Sequence, residues 1–351
     1  MHINAPLGVL PKEEVIKAVE RKNPVRIPLI RAKWLTQEFR DHYGDLAKEL
    51  DRFSDDAMDP PRFRLLEYKE MNLPWKISDS KAFDTAIVLD DWTKLDDFIA
   101  KFPVPEKDDR IDRIIPWAKE AHRKNQYLMH TQWSLFYERA WQIRGMENLL
   151  TDYYLHPKEV HRLNRALCDL YVDYIRVVGE KLQPDGFWSS DDLGHQTQLM
   201  MPPEVFREFI KPYYFEIGKA IKKQNMHWWM HSCGNNTEIL DDLIDVGVDV
   251  FHPVQKGTMN AVQIARDYGD RLVFCVGFDV QHVLRGKSKE EIREEVRFLI
   301  DTFDRPEGGM CLAAGDSILD DTPAENVIAF LEEALSYGQA HRKQMNTARK
   351  V

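Results

Sequence analysis

The chain alternates between short apolar runs and longer segments in which apolar residues recur three and four positions apart. The first pattern is typical of buried strands, and the second indicates amphipathic helices. Strands are predicted near residues 27, 55, 129, 187, 229, 250, 274 and 312. Single helices are predicted over residues 135–150, 157–182 and 202–224, and further helices separate nearly all the later strands.

Strands that alternate with helices along the chain indicate an α/β protein with a parallel sheet. Eight such units over roughly 300 residues favour a (β/α)8 TIM barrel over an open sheet. We therefore expect residues 1–351 to form a single barrel domain with an N-terminal extension. The stretch 60–125 shows neither helical spacing nor strand-like apolar runs clearly, and we interpret it as an irregular insertion. It contains one predicted helix, from about Asp109 to Asn125.

Composition narrows the class of protein. Hydrophobic residues make up 43% and charged residues 30% of the chain, which is typical of a globular protein with a large core. A formal net charge of −10 without a basic run argues against nucleic acid and anionic membranes as partners. No signal peptide or membrane-spanning run is recognisable, and four scattered cysteines do not suggest a disulfide framework. A reducing, cytoplasmic location is expected.

Polar residues follow the apolar part of nearly every predicted strand. In an α/β barrel the carboxyl ends of the strands meet at one mouth, where substrates bind. The residues predicted to lie there are Arg31, Asp55, His130, Trp133, Asp191, Asp192, His195, His231, Cys233, His252, Gln255, Asp279 and Asp316. Several have a structural alternative, since an Asp pair also forms turns, an Asp also caps a helix and a buried His also bonds backbone.

His231 and Cys233 are candidate metal ligands. They lie two positions apart at the end of an apolar strand, so their side chains are expected on the same face. Imidazole and thiolate are both common ligands of zinc. A structural role for His231 at the strand end is the alternative. For a third ligand, position favours Asp316 at a strand end, and Cys311 in the middle of the same strand is the reserve.

Six motifs carry a family resemblance. In chain order they are GMENLLTDYYLHPKEV, DGFWSSDDLG, MPPEVFREFIKPYY, HSCGNNTEILDDLIDVGVDVFHPVQ, GFDVQHVLRGKSKEEIREEV and GGMCLAAGDSILDDTPAENV. Together they resemble the uroporphyrinogen decarboxylase superfamily, which contains porphyrinogen decarboxylases and cobalamin-dependent methyltransferases. The resemblance covers most of the chain and is strongest from Trp133 onward. It implies a (β/α)8 barrel.

Within this superfamily the chain looks closest to the methyltransferases. Those that act on thiols carry H-x-C and a later Cys in a motif similar to L-A-P-G-C-G-I, which here reads Leu312 to Ile318 with Asp316 at the Cys position. The resemblance therefore implies a zinc site on His231 and Cys233, with Asp316 in the place of the third ligand.

The pair D-D-x-G and H-S-C-G resembles the methyltransferase components of O-demethylase systems. The resemblance implies transfer of a methyl group from a methylated, in particular methoxylated, small molecule to the cobalt of a separate corrinoid protein. Asp191, Asp192, His195 and Asp55 are the expected catalytic residues. The expected substrate-binding residues are Arg31, Trp34, His130, Trp133, Trp188, His252, Gln255 and Asp279, with the tryptophans suited to a flat aromatic substrate.

Two other functions remain open at this point, as does a homodimer. Phe53-Ser54-Asp55 and Arg31 resemble elements of the decarboxylases, so a metal-free decarboxylase of a porphyrinogen-like or other carboxylated substrate is the first alternative. A barrel that binds a ligand without catalysis is the second alternative.

Overall fold

A computed structural model describes residues 8–63, 65–66 and 87–348 of the chain. The chain forms two compact units. The first unit contains Met1–Met58, Ala121–Leu128 and Asp249–Val351, and the second contains Asp59–Glu120 and Met129–Val248. The single barrel domain expected for the whole chain remains a prediction.

All paired strands in both units are parallel. The strands are β1 Ala57–Met58, β2 Tyr127–Gln132, β3 Gly186–Ser190, β4 His227–His231, β5 Val250–His252, β6 Val273–Phe278 and β7 Met310–Ala314. In the second unit β2 pairs with β3 and β3 with β4. In the first unit β1 pairs with the start of β2, β5 pairs with β6, and β6 pairs with β7. The expected α/β architecture is therefore confirmed.

The strand predicted near residue 27 is present only as an isolated parallel bridge between Leu29 and Leu312. Leu312 donates its N–H to Pro28 O at 2.9 Å and accepts from Ile30 N at 3.0 Å. Asp56 N donates to Leu29 O at 2.8 Å, so the segment lies between β7 and the chain leading into β1. Pro28 lacks an N–H, which shortens any ladder at this position. In the described residues this segment is not a full strand.

Helices occupy most of the remaining described chain. They are α1 Lys12–Val19, α2 Gln37–Tyr43, α3 Asp45–Glu49, α4 Leu95–Ile99, α5 Asp109–Arg123, α6 Tyr137–Arg144, α7 Met146–Leu155, α8 Pro157–Leu182, α9 Pro203–Phe209, α10 Lys211–Lys223, α11 Leu240–Asp245, α12 Ala261–Tyr268, α13 Lys289–Phe303 and α14 Ala324–Ala348. None of the helices in the described ranges is both long and apolar enough to span a membrane.

The predicted helices agree with the structure except where a local backbone feature interrupts them. The helix predicted over 135–150 divides at Gly145, whose φ of 80° does not continue a helix. The helix predicted over 202–224 divides at Ile210, because Pro212 in the first turn of α10 cannot donate a helical hydrogen bond. The short helices α2 and α3 lie in a stretch for which no element was predicted.

The described part of the predicted insertion 60–125 is mainly helical. It contains α4, α5 and two 3-10 turns, at Trp92–Lys94 and Pro105–Lys107. The helix expected from about Asp109 is confirmed as α5. Residues 64 and 67–86 of this stretch lie outside the described residues.

One face of the β2–β3–β4 sheet packs against helices. Partners in register project to the same face, so His130, Phe187 and Trp228 share this side. His130 Nε2 lies 2.7 Å from the hydroxyl of Tyr174 on α8. The ring of Trp228 packs edge-on against Tyr214 of α10, with centroids 5.6 Å apart. This side of the sheet is therefore the helix-facing side.

The opposite face carries the residues that build the site described below. Thr131, Trp188 and Trp229 are register partners on this face, and Ser190 pairs with His231 at the ends of β3 and β4. All five residues are buried. A parallel sheet that is buried on both faces explains why these strands appear as continuous apolar runs in the sequence.

Candidate metal centre

The loop after β4 is held by a buried serine and a buried asparagine. Ser232 Oγ accepts from Leu193 N at 2.9 Å and donates to Asn236 Oδ1 at 2.8 Å. Asn236 Nδ2 in turn donates to the carbonyls of Ser232, Cys233 and Gly234 at 3.0–3.2 Å. These bonds fix the turn that carries Cys233 directly after the end of β4.

Two glycines let this loop touch the loop after β3. A Cβ on Gly194 would lie 2.5 Å from Cys233 O, and a Cβ on Gly234 would lie 2.3 Å from Gly194 C. Gly234 also has a φ of 77°, which favours glycine. Asn235 N donates to His195 O across the same contact at 2.7 Å. The contact brings the D-D-x-G loop, and with it Asp192, beside Cys233.

We expect Gly234→Ala to disrupt this contact. The alanine would carry the strain of a positive φ and an added clash with the backbone of Gly194. Gly247→Ala is the matched control, since Gly247 has a φ of 97° but no atom within 4 Å of its added Cβ. The control should lose about 1–2 kcal/mol of unfolding free energy. Gly234→Ala should lose about 1–3 kcal/mol more, measured by urea unfolding. Equal losses in the two variants would contradict the close contact.

Three donor atoms of different chemistry converge at this contact. Among the described residues, the group of His, Cys, Asp or Glu whose ligand atoms all lie within 4.8 Å of one another is Asp192, His231 and Cys233. His231 Nε2 is 3.4 Å from Cys233 Sγ and 3.5 Å from Asp192 Oδ1. In tetrahedral zinc sites, bonds of about 2.0–2.3 Å place the ligand atoms about 3.3–3.6 Å apart. The chemistry of the donors and the two distances from His231 Nε2 therefore fit zinc.

The site keeps one side open to solvent. The side chain of Asp192 is 36% exposed, while that of His231 is 6% exposed. Burial raises the pKa of Asp192, although the Cys233 N–H at 2.9 Å opposes the rise and the exposed fraction moderates it. A zinc held by three protein ligands would have room for a ligand from outside on this side, as catalytic zinc sites do.

Glu138 adds a further carboxyl group that the sequence did not single out. Ser190 Oγ donates to Glu138 Oε2 at 2.7 Å. Burial raises the pKa of Glu138 well above its usual range, and the charges of Asp192 and Asp191 raise it further. Three carboxyl groups so close together repel one another when ionised, and a bound divalent cation would relieve that repulsion. No local pattern marks this one glutamate among the 58 acidic residues of the chain.

Asp191 is fully buried and caps the start of α6. Its carboxylate accepts the N–H groups of Phe136, Tyr137 and Glu138 at 2.6–3.0 Å and the hydroxyl of Tyr214 at 2.8 Å. Burial raises the pKa of Asp191 to about 6, and these donors oppose the rise. The contacts describe a helix cap that positions the first turn of α6, and the catalytic role predicted for Asp191 stays a prediction.

Comparison with known proteins identifies the family. Residues 139–337, more than half of the chain, match the family described as uroporphyrinogen decarboxylase (URO-D). The chain belongs to the uroporphyrinogen decarboxylase family. Among solved structures, a methyltransferase from Methanosarcina mazei aligns with a TM-score of 0.66 and 15% identity, over 94% of this chain and 99% of that chain. The likeness supports the α/β fold expected from the sequence.

A D-psicose 3-epimerase from Clostridium cellulolyticum H10, solved with D-tagatose, aligns with a TM-score of 0.44 and 10% identity, over 90% of this chain and 98% of that chain. No curated protein matches the sequence.

In this uroporphyrinogen decarboxylase family member, two tryptophans contact the imidazole of His231. Trp133 meets it edge-on, with centroids 5.6 Å apart, and is only partly buried. Trp188 stacks on it at 6.4 Å and on Trp229 at 6.1 Å. Trp188 is fully buried against these two rings, and its predicted contact with the substrate stays a prediction. Trp133 lies beside His231, and its predicted contact with the substrate stays a prediction.

The structure also corrects the predicted position of His130. Its side chain lies on the helix-facing side of the sheet, bonded to Tyr174, whereas His231 lies on the other side. Burial lowers the pKa of His130 to about 4, so the imidazole is neutral. His195 is exposed, and its backbone carbonyl supports Asn235. A substrate contact by the His195 side chain stays a prediction.

Several predicted site residues of the first unit have structural contacts. Arg31 is buried with its guanidinium 5.8 Å from the ring centroid of Trp34. His252 Nε2 lies 3.0 Å from Ala314 O. Asp279 caps the turn Val280–Leu284 by accepting two backbone N–H groups at 2.8 and 2.9 Å. These contacts match the structural alternatives for His252 and Asp279, and their substrate roles stay predictions.

Gln255 and Asp55 lie in the same unit. Gln255 O accepts the N–H groups of Thr258 and Met259, which describes a turn. Asp55 accepts the N–H of Ala32 at 3.0 Å. Burial raises the pKa of Asp55 to about 6, opposed first by the charge of Lys33. Asp55 thus remains a candidate acid, and neither its predicted role nor that of Gln255 is tested by these contacts.

The predicted third ligand, Asp316, belongs to the first unit, and its role as a ligand stays a prediction. Asp316 is exposed and accepts the N–H of Ser317 at 2.5 Å, in the first unit. Cys311 is buried in β7, where burial holds the pKa of its thiol well above the usual range. Asp192, predicted as a catalytic residue, instead stands with His231 and Cys233.

Proposed function

We propose that this family member is a zinc-dependent methyltransferase with a complete eight-stranded barrel. It would move a methyl group from a methoxylated small molecule to the cobalt of a separate corrinoid protein. The observation that carries the proposal is the convergence of Asp192, His231 and Cys233 at zinc-like spacing. Membership of the uroporphyrinogen decarboxylase family and the fold shared with a methyltransferase from Methanosarcina mazei support it.

The chemistry requires help for a poor leaving group. When cobalt(I) attacks the methyl carbon, its electron pair forms the new Co–CH3 bond, and the electrons of the C–O bond stay on oxygen. That oxygen then takes up a proton. Zinc on Asp192, His231 and Cys233 would supply Lewis-acid stabilisation to the oxygen as the bond breaks.

The protein residues around the donor set would hold this geometry. Ser232 and Asn236 fix the loop that carries Cys233. Asp191 fixes the first turn of α6, where the side chain of Glu138 accepts a hydrogen bond from Ser190 Oγ. Trp133 flanks His231 at the open side. Asp191 would thus act as a positioning residue through the helix that it caps.

A second candidate function rests on Asp55. A carboxyl group with its pKa raised to about 6 beside the charges of Arg31 and Lys33 could bind or protonate a carboxylated substrate without a metal. This would be a decarboxylase reaction that uses the first unit alone. Asp55→Asn should abolish that activity, and Cys233→Ala should leave it intact.

The test is methyl transfer by the zinc-loaded protein. Purified protein is mixed with free cob(I)alamin and a panel of methoxylated aromatic donors, and methylcob(III)alamin is followed by absorbance. Zinc-dependent methylation supports the proposal. Release of CO2 from uroporphyrinogen without methylation would favour the decarboxylase. Binding of donors without either reaction would favour a ligand-binding barrel.

A further inference from the structure

We propose that the outer face of helices α8 and α10 binds a second copy of this chain around a two-fold axis. The face carries an exposed phenylalanine ring beside an open groove, together with charges of both signs. All of its residues belong to the second unit. The inference goes beyond the proposed reaction and does not depend on it.

The groove lies between α8 and α10 and has a volume of about 700 Å³. The apolar part of its lining comes from Val172 of α8 and from Pro212, Phe215 and Ala220 of α10. These α10 residues recur three to five positions apart, so they lie on one side of the helix. Tyr214 and Ile217, on the other side of α10, are buried. The groove is therefore an open, partly apolar concavity on the outside of this helix pair.

Phe215 is an exposed ring at the edge of this groove. It is 47% exposed, although its neighbour Tyr214 is fully buried. Lys219 Nζ, one helical turn further along α10, lies 4.2 Å from the centroid of the Phe215 ring. A covered phenylalanine side chain buries roughly 150–250 Å². The same face thus offers both an apolar ring that lacks cover and an apolar groove that lacks a filling group.

A two-fold axis satisfies both features at once. Rotation about the axis places Phe215 of each copy in the groove of the other, so one contact covers both rings and fills both grooves. A head-to-tail contact would leave one ring and one groove of each pair uncovered. The closed two-fold arrangement therefore buries more apolar surface per copy.

The charges around the ring and the groove are complementary in this arrangement. Asp173 lines the groove with a side chain that is 47% exposed. Its Oδ1 accepts Arg176 Nη2 at 3.0 Å and Nε at 3.2 Å, which leaves Oδ2 for a second donor. Lys219 contacts Phe215 and, in the described part of the chain, has no salt bridge. As Phe215 enters the partner's groove, Lys219 would meet Asp173 across the axis.

The dimer is expected to be weak and to leave the metal donors open. One ring and one groove per copy correspond to a small interface, with a Kd of about 1–100 μM. Tyr174 of α8 and Tyr214 of α10 contact the helix-facing side of the β2–β3–β4 sheet, whereas His231 lies on the other side. Each copy would therefore keep its own zinc site, and dimer formation should not change zinc content.

Sedimentation equilibrium on three full-length proteins, at chain concentrations of about 1–500 μM, measures the dimer Kd. The proteins are the wild type, Phe215→Ser and Phe298→Ser. Phe298 is the matched control, because it is 44% exposed on α13 in the first unit. We expect Phe215→Ser to raise the dimer Kd by about 100-fold or more, since the symmetry removes the ring twice. The control should stay within about twofold of the wild type.

A charge exchange tests the orientation of the two copies. Lys219→Glu alone and Asp173→Lys alone should each raise the dimer Kd by about 10-fold or more, because each places like charges across the axis. An equimolar mixture of these two variants should associate nearly as tightly as the wild type, since both contacts then join opposite charges. A wild-type chain that stays monomeric over the whole range would overturn the inference. An unchanged Kd in Phe215→Ser, or no recovery in the mixture, would overturn it as well.

Discussion

Replacing Cys233 with alanine is expected to slow methyl transfer to cob(I)alamin by about 1,000-fold or more. The variant removes the thiolate of the proposed donor set, so that only two ligand atoms remain, one from Asp192 and one from His231. Zinc should be lost with the activity, because the remaining pair cannot replace the soft sulfur ligand. Rates come from the absorbance of methylcob(III)alamin, and zinc content is measured on the same samples.

A second cysteine provides the control for this variant. Cys168 is buried in α8, where burial raises the pKa of its thiol to about 12. Cys168→Ala should keep its zinc and a methyl-transfer rate within about threefold of wild type, since a small buried thiol acts mainly as an apolar group. Retention of more than about a tenth of the rate by Cys233→Ala would contradict the proposed centre.

The largest effect on stability is expected from Arg26→Met. Arg26 donates to both carboxylate oxygens of Asp56 at 2.7 Å, and both side chains are buried. Asp56 also accepts the N–H groups of Leu10 and Leu29 at 2.8 Å. Removal of the guanidinium leaves a buried carboxylate with its charge uncompensated, which costs about 3–5 kcal/mol of unfolding free energy. Denaturant unfolding measures the loss.

The control pair for this prediction is exposed. Lys48 and Asp45 form an ion pair at 2.7 Å, with side chains that are 75% and 95% exposed. Lys48→Met should change the unfolding free energy by less than about 1 kcal/mol, because solvent screens such a pair. A loss of under about 1 kcal/mol for Arg26→Met would show that the buried pair contributes little.

The helical and strand periods predicted much of the fold. Helix α8 begins and ends where the apolar spacing placed it, and every predicted strand from β2 onward is present. These elements have long periodic or continuous apolar patterns, which tertiary packing reinforces. The first predicted strand is present only as an isolated bridge, because Pro28 interrupts its hydrogen bonding. One predicted helix is divided at Gly145, although its apolar pattern continues across that residue.

The candidate site was predicted in part. His231 and Cys233 follow from alternation along one strand, since residues two apart share a face. Asp192 as their partner depends on the backbone contact between Gly194 and Gly234, which joins two loops distant in sequence. The spacing of apolar residues along the chain does not reveal a contact between two distant loops. From the sequence alone, Asp316 was therefore the more plausible third ligand, because it lies at a strand end.

Two other residues show the same limit. His130 was expected with the substrate because it lies close to the end of its strand, yet side-chain alternation directs it to the helices. A strand-end rule alone ignores which face a residue occupies, and the face depends on register. Glu138 bonds to Ser190 from the first turn of α6, which Asp191 caps, and the sequence pattern shows neither contact.

Zinc content across two aspartate variants tests the centre most directly. Asp192→Ala and Asp316→Ala are purified without chelator, loaded with zinc and dialysed, and bound zinc is measured beside wild type. The Asp192–His231–Cys233 centre predicts one zinc per wild-type chain, loss of zinc in Asp192→Ala and full retention in Asp316→Ala. Full retention in Asp192→Ala with loss in Asp316→Ala, or no zinc in the wild-type protein, would contradict it.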